Sequence, residues 1–125
     1  MKKFLSLASA FMLLWYAAPG AYGDYDSLSY LYAGDTAIYL NNVGRTKDSL
    51  TGVCPDYFEV DAAGGLKLTR PVDPLFIDAM HARGIAVTPF VSNHWNRDNG
   101  RAALRNREAL SDALAARVRE DRLDG

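Results

Sequence analysis

The segment Ser92-Asn93-His94-Trp95 puts a hydroxyl, a carboxamide, an imidazole and an indole on four consecutive residues. It follows directly on Ile85-Ala86-Val87-Thr88-Pro89-Phe90-Val91, an apolar run that reads as a buried strand. In α/β proteins ligands bind at the carboxyl ends of strands, where loops rest on a rigid sheet. Ser92, Asn93, His94 and Trp95 are therefore the first candidate site residues. Tyr32 and Tyr57, at the ends of two earlier strand-like runs, are further candidates, with core packing as the competing role for each. Other chemistries lack their residues. The two histidines, His81 and His94, have no partner at metal-ligand spacing, and the single cysteine, Cys54, forms neither an internal disulfide nor a thiolate cage. Only Ala33-Gly34-Asp35 stands where a phosphate-binding loop needs more glycines or a lysine, and no Gly-x-Ser-x-Gly elbow occurs. No metal and no cofactor are predicted.

The bulk composition narrows the partners. Of 125 residues, 49% are hydrophobic and 23% charged, as in an ordinary globular protein. A net charge of -1 gives no footprint for nucleic acid. The arginines between 101 and 122 are balanced by Glu108, Asp112, Glu120 and Asp121, as on a solvated helix face. The first 23 residues read as a secretory signal peptide: Lys2 and Lys3, an apolar run from Phe4 to Ala18, then Pro19-Gly20 and a cleavage site after Gly23. That apolar run is shorter than the roughly 20 residues a membrane span needs. The mature chain, residues 24–125, is expected to work outside the cytoplasm, with no membrane span after cleavage. Cys54 is expected buried in a strand.

Elements that could position these groups follow from patterning. Ser27 to Ala33 has strand composition. Asp35 can cap a helix whose face is Tyr39, Leu40 and Val43, closed by Gly44 in the left-handed conformation. Leu50 to Val60 is a second strand that Pro55 bends, followed by a turn at Asp61–Gly65 and a short return at Leu66-Lys67-Leu68. Asp73-Pro74 starts a helix burying Phe76, Ile77 and Met80, with Gly84 past its end and His81 at the boundary. The run from Ile85 forms the third strand, on which Thr88, Phe90 and Ser92 face one way and Val87, Pro89 and Val91 the other. Asn96–Gly100 is a loop, and Arg101 to Arg122 a helix with a break at Asn106, which can cap its second part, and Leu110, Leu114 and Val118 on the packed face. The order β-α-β-α-β-α predicts an α/β fold with parallel strands. Each unit averages roughly 33 residues, close to the repeat of an eightfold (β/α)8 TIM barrel. The expectation is the N-terminal three βα units of such a barrel, truncated before the fourth strand.

Four stretches carry a likeness to a known family: Tyr30-Leu31-Tyr32-Ala33-Gly34, Pro55-Asp56-Tyr57-Phe58, Met80 to Val87, and Leu123-Asp124-Gly125. Together they resemble glycoside hydrolase family 18, within it the secreted bacterial spore-cortex and germination-type branch. The resemblance implies a secreted glycosidase acting on N-acetylglucosamine-containing glycans, chitin or peptidoglycan, in which the substrate's own acetamido oxygen is the nucleophile. Its diagnostic run is D-G-x-x-x-D-x-E, whose opening Asp124-Gly125 matches, giving Asp124 a supporting role. Alternation along a strand would stack those carboxyls on one face and keep the acid protonated. By that match the glutamate would fall past Gly125, so the 125-residue chain is expected to be inactive alone. The family often ends its third strand in S-x-G-G, whereas Ser92-Asn93-His94-Trp95 keeps only the serine. The resemblance places Trp95 to stack on a sugar ring and Asn93 and His94 to bond hydroxyl or acetamido groups, with cover of the barrel rim as the competing role for Trp95 and simple solvation for His94. Two other readings stay open: a non-catalytic, chitolectin-like glycan binder on the same barrel, and a complete small α/β domain of unrelated function.

Overall fold

The computed structural model describes residues 26–125; the signal-peptide reading of residues 1–23 lies outside them. The chain forms β1 (Leu28–Leu31), α1 (Thr36–Gly44), β2 (Gly52–Pro55), β3 (Phe58–Val60), β4 (Leu66–Leu68), α2 (Pro74–His81), β5 (Ala86–Val87), β6 (Val91–Ser92), α3 (Arg97–Arg105) and α4 (Arg107–Glu120). It is a mixed α/β fold. One sheet, β1-β2-β5, is parallel throughout; the second, β4-β3-β6, joins a parallel pair to an antiparallel hairpin.

Both helix starts form as their capping residues dictate. Asp35 accepts the Ile38 N–H, and Asp73 accepts those of Leu75 and Phe76, ahead of Pro74 in the first turn. Tyr39 and Val43 of α1 and Phe76, Ile77 and Met80 of α2 pack on Leu31, Val53 and Val87. The Tyr39 ring meets the Phe76 ring edge-on at 5.4 Å. Burying each of these large side chains removes apolar area from water worth about 1.5–3 kcal/mol. On the opposite face of this sheet Leu28, Tyr30 and Tyr32 are exposed. Cys54 is buried, as expected, with Sγ 3.5 Å from Thr88 Oγ1.

Several expectations are corrected. Leu40 is exposed, leaving Tyr39 and Val43 as the buried face of α1. Gly44 does not take the left-handed conformation; the backbone stays right-handed through Arg45 and turns over at Lys47 and Asp48. The helix expected from Arg101 starts at Arg97, because the Asn96 side chain accepts the N–H groups of Asp98 and Asn99. Asn106 does separate two helices but caps neither by its side chain, which donates instead to the Gly64 carbonyl. Leu114 and Val118 only partly bury, so α4 lies at the margin of the core.

The third strand is two strands rather than one. The β2–β5 ladder pairs Val53 with Val87, and the β3–β6 ladder pairs Phe58 with Val91. Five steps on one side therefore oppose four on the other. That is a β-bulge, centred on Asp56 and Tyr57, where the Tyr57 N–H turns back to the Pro55 carbonyl. Pro89, lacking an N–H, breaks the ladder opposite the bulge.

Asp124 is held on Val87, the last residue of β5. Its N–H donates to the Val87 carbonyl at 3.0 Å, and its Oδ2 lies 2.7 Å from the Val87 nitrogen and 2.8 Å from His81 Nε2. The Val87 N–H, followed by His81, holds its carboxyl below the usual carboxylate value. A carboxyl lowered in the folded state stabilises above its unfolded pKa, and that contribution disappears as pH falls through the folded value. The Asp124→Asn variant is therefore expected to be less stable than the parent at pH 6. The gap should narrow below about pH 4, read from urea midpoints across pH. A gap that stays constant to pH 3 would show that the carboxylate is not what Asp124 contributes.

Candidate functional site

The loop Ser92–Asn96 folds on its own polar groups. The His94 N–H donates to Ser92 Oγ at 2.9 Å, and the Trp95 N–H donates to Asn93 Oδ1 at 3.2 Å. Asn93 Nδ2 in turn donates to the Asn96 carbonyl. Ser92 and Asn93 thus shape the loop rather than face a ligand with free groups. The loop's backbone is strained at two consecutive positions, His94 at φ 47° and Trp95 at φ 60°. Left-handed backbone costs a bulky residue on the order of 1–3 kcal/mol. For Trp95 that cost is not offset by burial, since its side chain is fully exposed. An unburied indole held in a strained turn is an aromatic plane presented to solvent.

The His94 side chain is tethered below. Its Nε2 lies 2.6 Å from Glu59 Oε2 on β3, and the other Glu59 oxygen meets Lys67 Nζ on β4 at 2.5 Å. This follows from register, because Glu59 pairs with Lys67 on one side and Ser92 on the other. The Lys67 ammonium, and after it His94, holds the Glu59 carboxyl below its ordinary value. It is an ionised anchor, the reverse of what a general acid needs.

A cleft of about 340 Å³ lies under this loop, lined by Tyr32, Asp56, Phe90 and Ser92 to Trp95. Tyr32 packs on Phe90 at 5.0 Å between ring centres, and Tyr30 packs on the same ring at 5.4 Å. Asp56 is 7% exposed, and its Oδ1 has no hydrogen-bond partner among the described residues. Its Oδ2 lies 3.8 Å from Arg70 Nη2, while Arg70 Nε donates to the Asp56 carbonyl and Nη1 to that of Gly34. A buried carboxylate oxygen left unpaired is costly unless something donates to it. The cleft can therefore take a neutral ring carrying hydroxyl or amide donors for Asp56 and apolar faces for Trp95, Tyr32 and Phe90.

Of the sequence candidates, Tyr32, Ser92, Asn93, His94 and Trp95 are brought together. Tyr57 is not among them. The bulge sends it away from Asp56 into the helix layer, where it is one of the residues lining a second cleft. Asp124 also stands apart, bonded to Val87 of β5, whereas the loop follows β6. Asp56, Glu59, Phe90 and Arg70 escaped the sequence reading as site residues. Pro55 inside an apolar run was the available signal, since a proline there marks a bulge. Among the described residues no cluster of three His, Cys, Asp or Glu could hold a metal, and no helix is long and apolar enough to cross a membrane.

No family model matches the sequence, and no curated protein does. Among solved structures, the chain is similar to the chitinase from Chromobacterium violaceum ATCC 12472, at a TM-score of 0.59 and 22% sequence identity. The likeness covers 79% of this chain and 33% of that one, so the chain spans about a third of the length of the chitinase structure. At that identity it is the fold that the two share.

Proposed function

We propose that this chain is the glycan-binding amino-terminal part of a family 18-type glycosidase fold, built on a (β/α)8 barrel and secreted. Its substrates are polymers containing N-acetylglucosamine, of the chitin or peptidoglycan type. The observation that carries this reading is the strained, fully exposed Trp95 above a cleft with aromatic walls and an unpaired buried Asp56 oxygen. A neutral sugar ring satisfies both features: its C–H face covers the indole and a hydroxyl or acetamido N–H donates to Asp56. The likeness in fold to a chitinase agrees with this, as do the quoted sequence stretches. Secretion rests on the leader formed by Lys2, Lys3 and the apolar run after them.

Cleavage by such an enzyme needs a carboxylic acid held protonated, which hands its proton to the leaving oxygen while the substrate's acetamido oxygen attacks. In the described cleft Glu59 is ionised and tied to Lys67 and His94, so it does not suit that role. This chain binds glycan and does not turn it over, which also keeps a lectin-like relative as the second reading. Titrating the purified 125-residue polypeptide with a chitooligosaccharide or a muropeptide should change its tryptophan fluorescence and release no shorter product. Product formation would overturn the assignment of binding alone. No response to either ligand, by fluorescence or calorimetry, would overturn the glycan reading itself.

A further inference from the structure

The second cleft, of about 420 Å³, opens on the other side of the bulge, between the amino-terminal ends of α1 and α2. Its size falls within the roughly 300–1,000 Å³ of ligand pockets. Tyr57 lies in its wall, 1% exposed, with a hydroxyl that has no hydrogen-bond partner among the described residues. Pro71, Val72 and Pro74 add apolar surface, and Arg70 sits across the Tyr39 ring at 6.0 Å.

Two helix amino termini would ordinarily favour an anion. Here that preference is already met. Asp35 accepts the Ile38 N–H; Asp73 accepts those of Leu75 and Phe76 with one oxygen and the Thr36 hydroxyl with the other. Against these two carboxylates stands one guanidinium, and it is partly engaged by Asp56 and by the Gly34 carbonyl. The cleft is thus net acidic, with a phenolic donor in its wall and an apolar side. Burial, opposed by the nearby Asp73 N–H, pushes the Tyr57 hydroxyl up to about 12, so it stays a neutral donor.

We infer that this cleft is a second saccharide site, in which a neutral sugar unit accepts the Tyr57 hydroxyl hydrogen and lays an apolar face on Pro71 and Val72. The inference rests on the glycan reading of the chain. Bulge geometry makes the two sites neighbours, because adjacent residues Asp56 and Tyr57 serve different clefts. Arg70 connects them, lining the second cleft while contacting Asp56 in the first.

The test uses amide chemical shifts of the whole chain titrated with N,N′-diacetylchitobiose, and separately with inorganic phosphate. The disaccharide should shift amides at 35–38 and 72–76 as well as those at 92–96. Tyr57→Phe keeps the ring and removes only a hydroxyl whose hydrogen has no acceptor among the described residues. It should leave the urea midpoint unchanged or higher, while weakening the 35–38 and 72–76 response about three- to tenfold and sparing 92–96. Shifts confined to 92–96 would overturn the second site and leave the first standing. Shifts at neither would overturn both. A response at 35–38 and 72–76 to phosphate but not to the disaccharide would make this an anion site and overturn the inference. A Tyr57→Phe chain that loses stability would overturn it too, by showing that the hydroxyl has a structural partner.

Discussion

Replacing Trp95 with glycine is expected to leave the chain at least as stable while removing most of its affinity for glycan. A core tryptophan would behave the opposite way, losing about 3–5 kcal/mol on truncation. Trp95 is fully exposed, so its removal uncovers no surface and leaves no cavity. Its backbone sits at φ 60°, which costs an L-residue about 1–2 kcal/mol and glycine almost nothing. The larger conformational freedom of glycine in the unfolded chain returns roughly 0.5–1 kcal/mol of that gain. The net expectation is a stabilisation of up to about 1 kcal/mol, read as a urea midpoint. Affinity for a chitooligosaccharide should fall at least about tenfold, close to 1.4 kcal/mol. Trp95→Ala separates the two effects, since alanine keeps the strain and loses the indole. It should match the glycine variant in affinity and fall below it in stability. A glycine variant markedly less stable than the parent would show that the indole packs on something in solution, and the case for an exposed sugar platform would fail.

What the sequence made legible was what local chemistry decides. Asp35 and Asp73 announce helix starts because a short carboxylate next to a free N–H needs nothing distant. Phe76, Ile77 and Met80 announce a buried face because helical spacing does. The bulge was not legible, because it exists only in the register between segments more than thirty residues apart. Its consequence for the site is large: it places Asp56 at one cleft and Tyr57 at another, although their places at the ends of two strand-like runs had offered Tyr32 and Tyr57 as candidates for one sugar site. The start of α3 was legible in principle, for asparagine is among the best capping residues. The polar run Arg97-Asp98-Asn99-Gly100 concealed it, since a helix that buries only Ala102 carries no apolar stripe. The roles of Ser92 and Asn93 were hidden for a related reason. Both side chains are taken by backbone groups two or three residues away, a use that composition alone does not separate from ligand binding.

Gly64→Val is expected to weaken glycan binding from a position that lines neither cleft. Gly64 sits at φ +83° in the β3–β4 turn, where Asp61 Oδ1 accepts the N–H groups of Ala63 and Gly65. A Cβ there would overlap the Ala102 carbonyl on α3, which is backbone and has no rotamer by which to yield. The same hairpin holds α3 through two further bonds, Asn99 Nδ2 to the Val60 carbonyl and Asn106 Nδ2 to that of Gly64. Because α3 is capped by Asn96, next to Trp95, whatever displaces the helix also displaces the loop that presents the indole. The left-handed backbone should cost a valine about 1–2 kcal/mol, and forcing two packed elements apart about 1–3 more. A loss of roughly 2–5 kcal/mol is therefore expected, with faster amide exchange across 96–105 than across α2. Gly44→Ala is the matched control. Gly44 ends α1 without a left-handed φ and a Cβ there meets nothing, so alanine should stabilise by about 0.4–1 kcal/mol. If Gly64→Val instead left glycan affinity untouched while unfolding at lower urea, the hairpin would matter to the fold but not to the loop. Trp95 would then owe its position to the Ser92, Asn93 and Glu59 contacts alone.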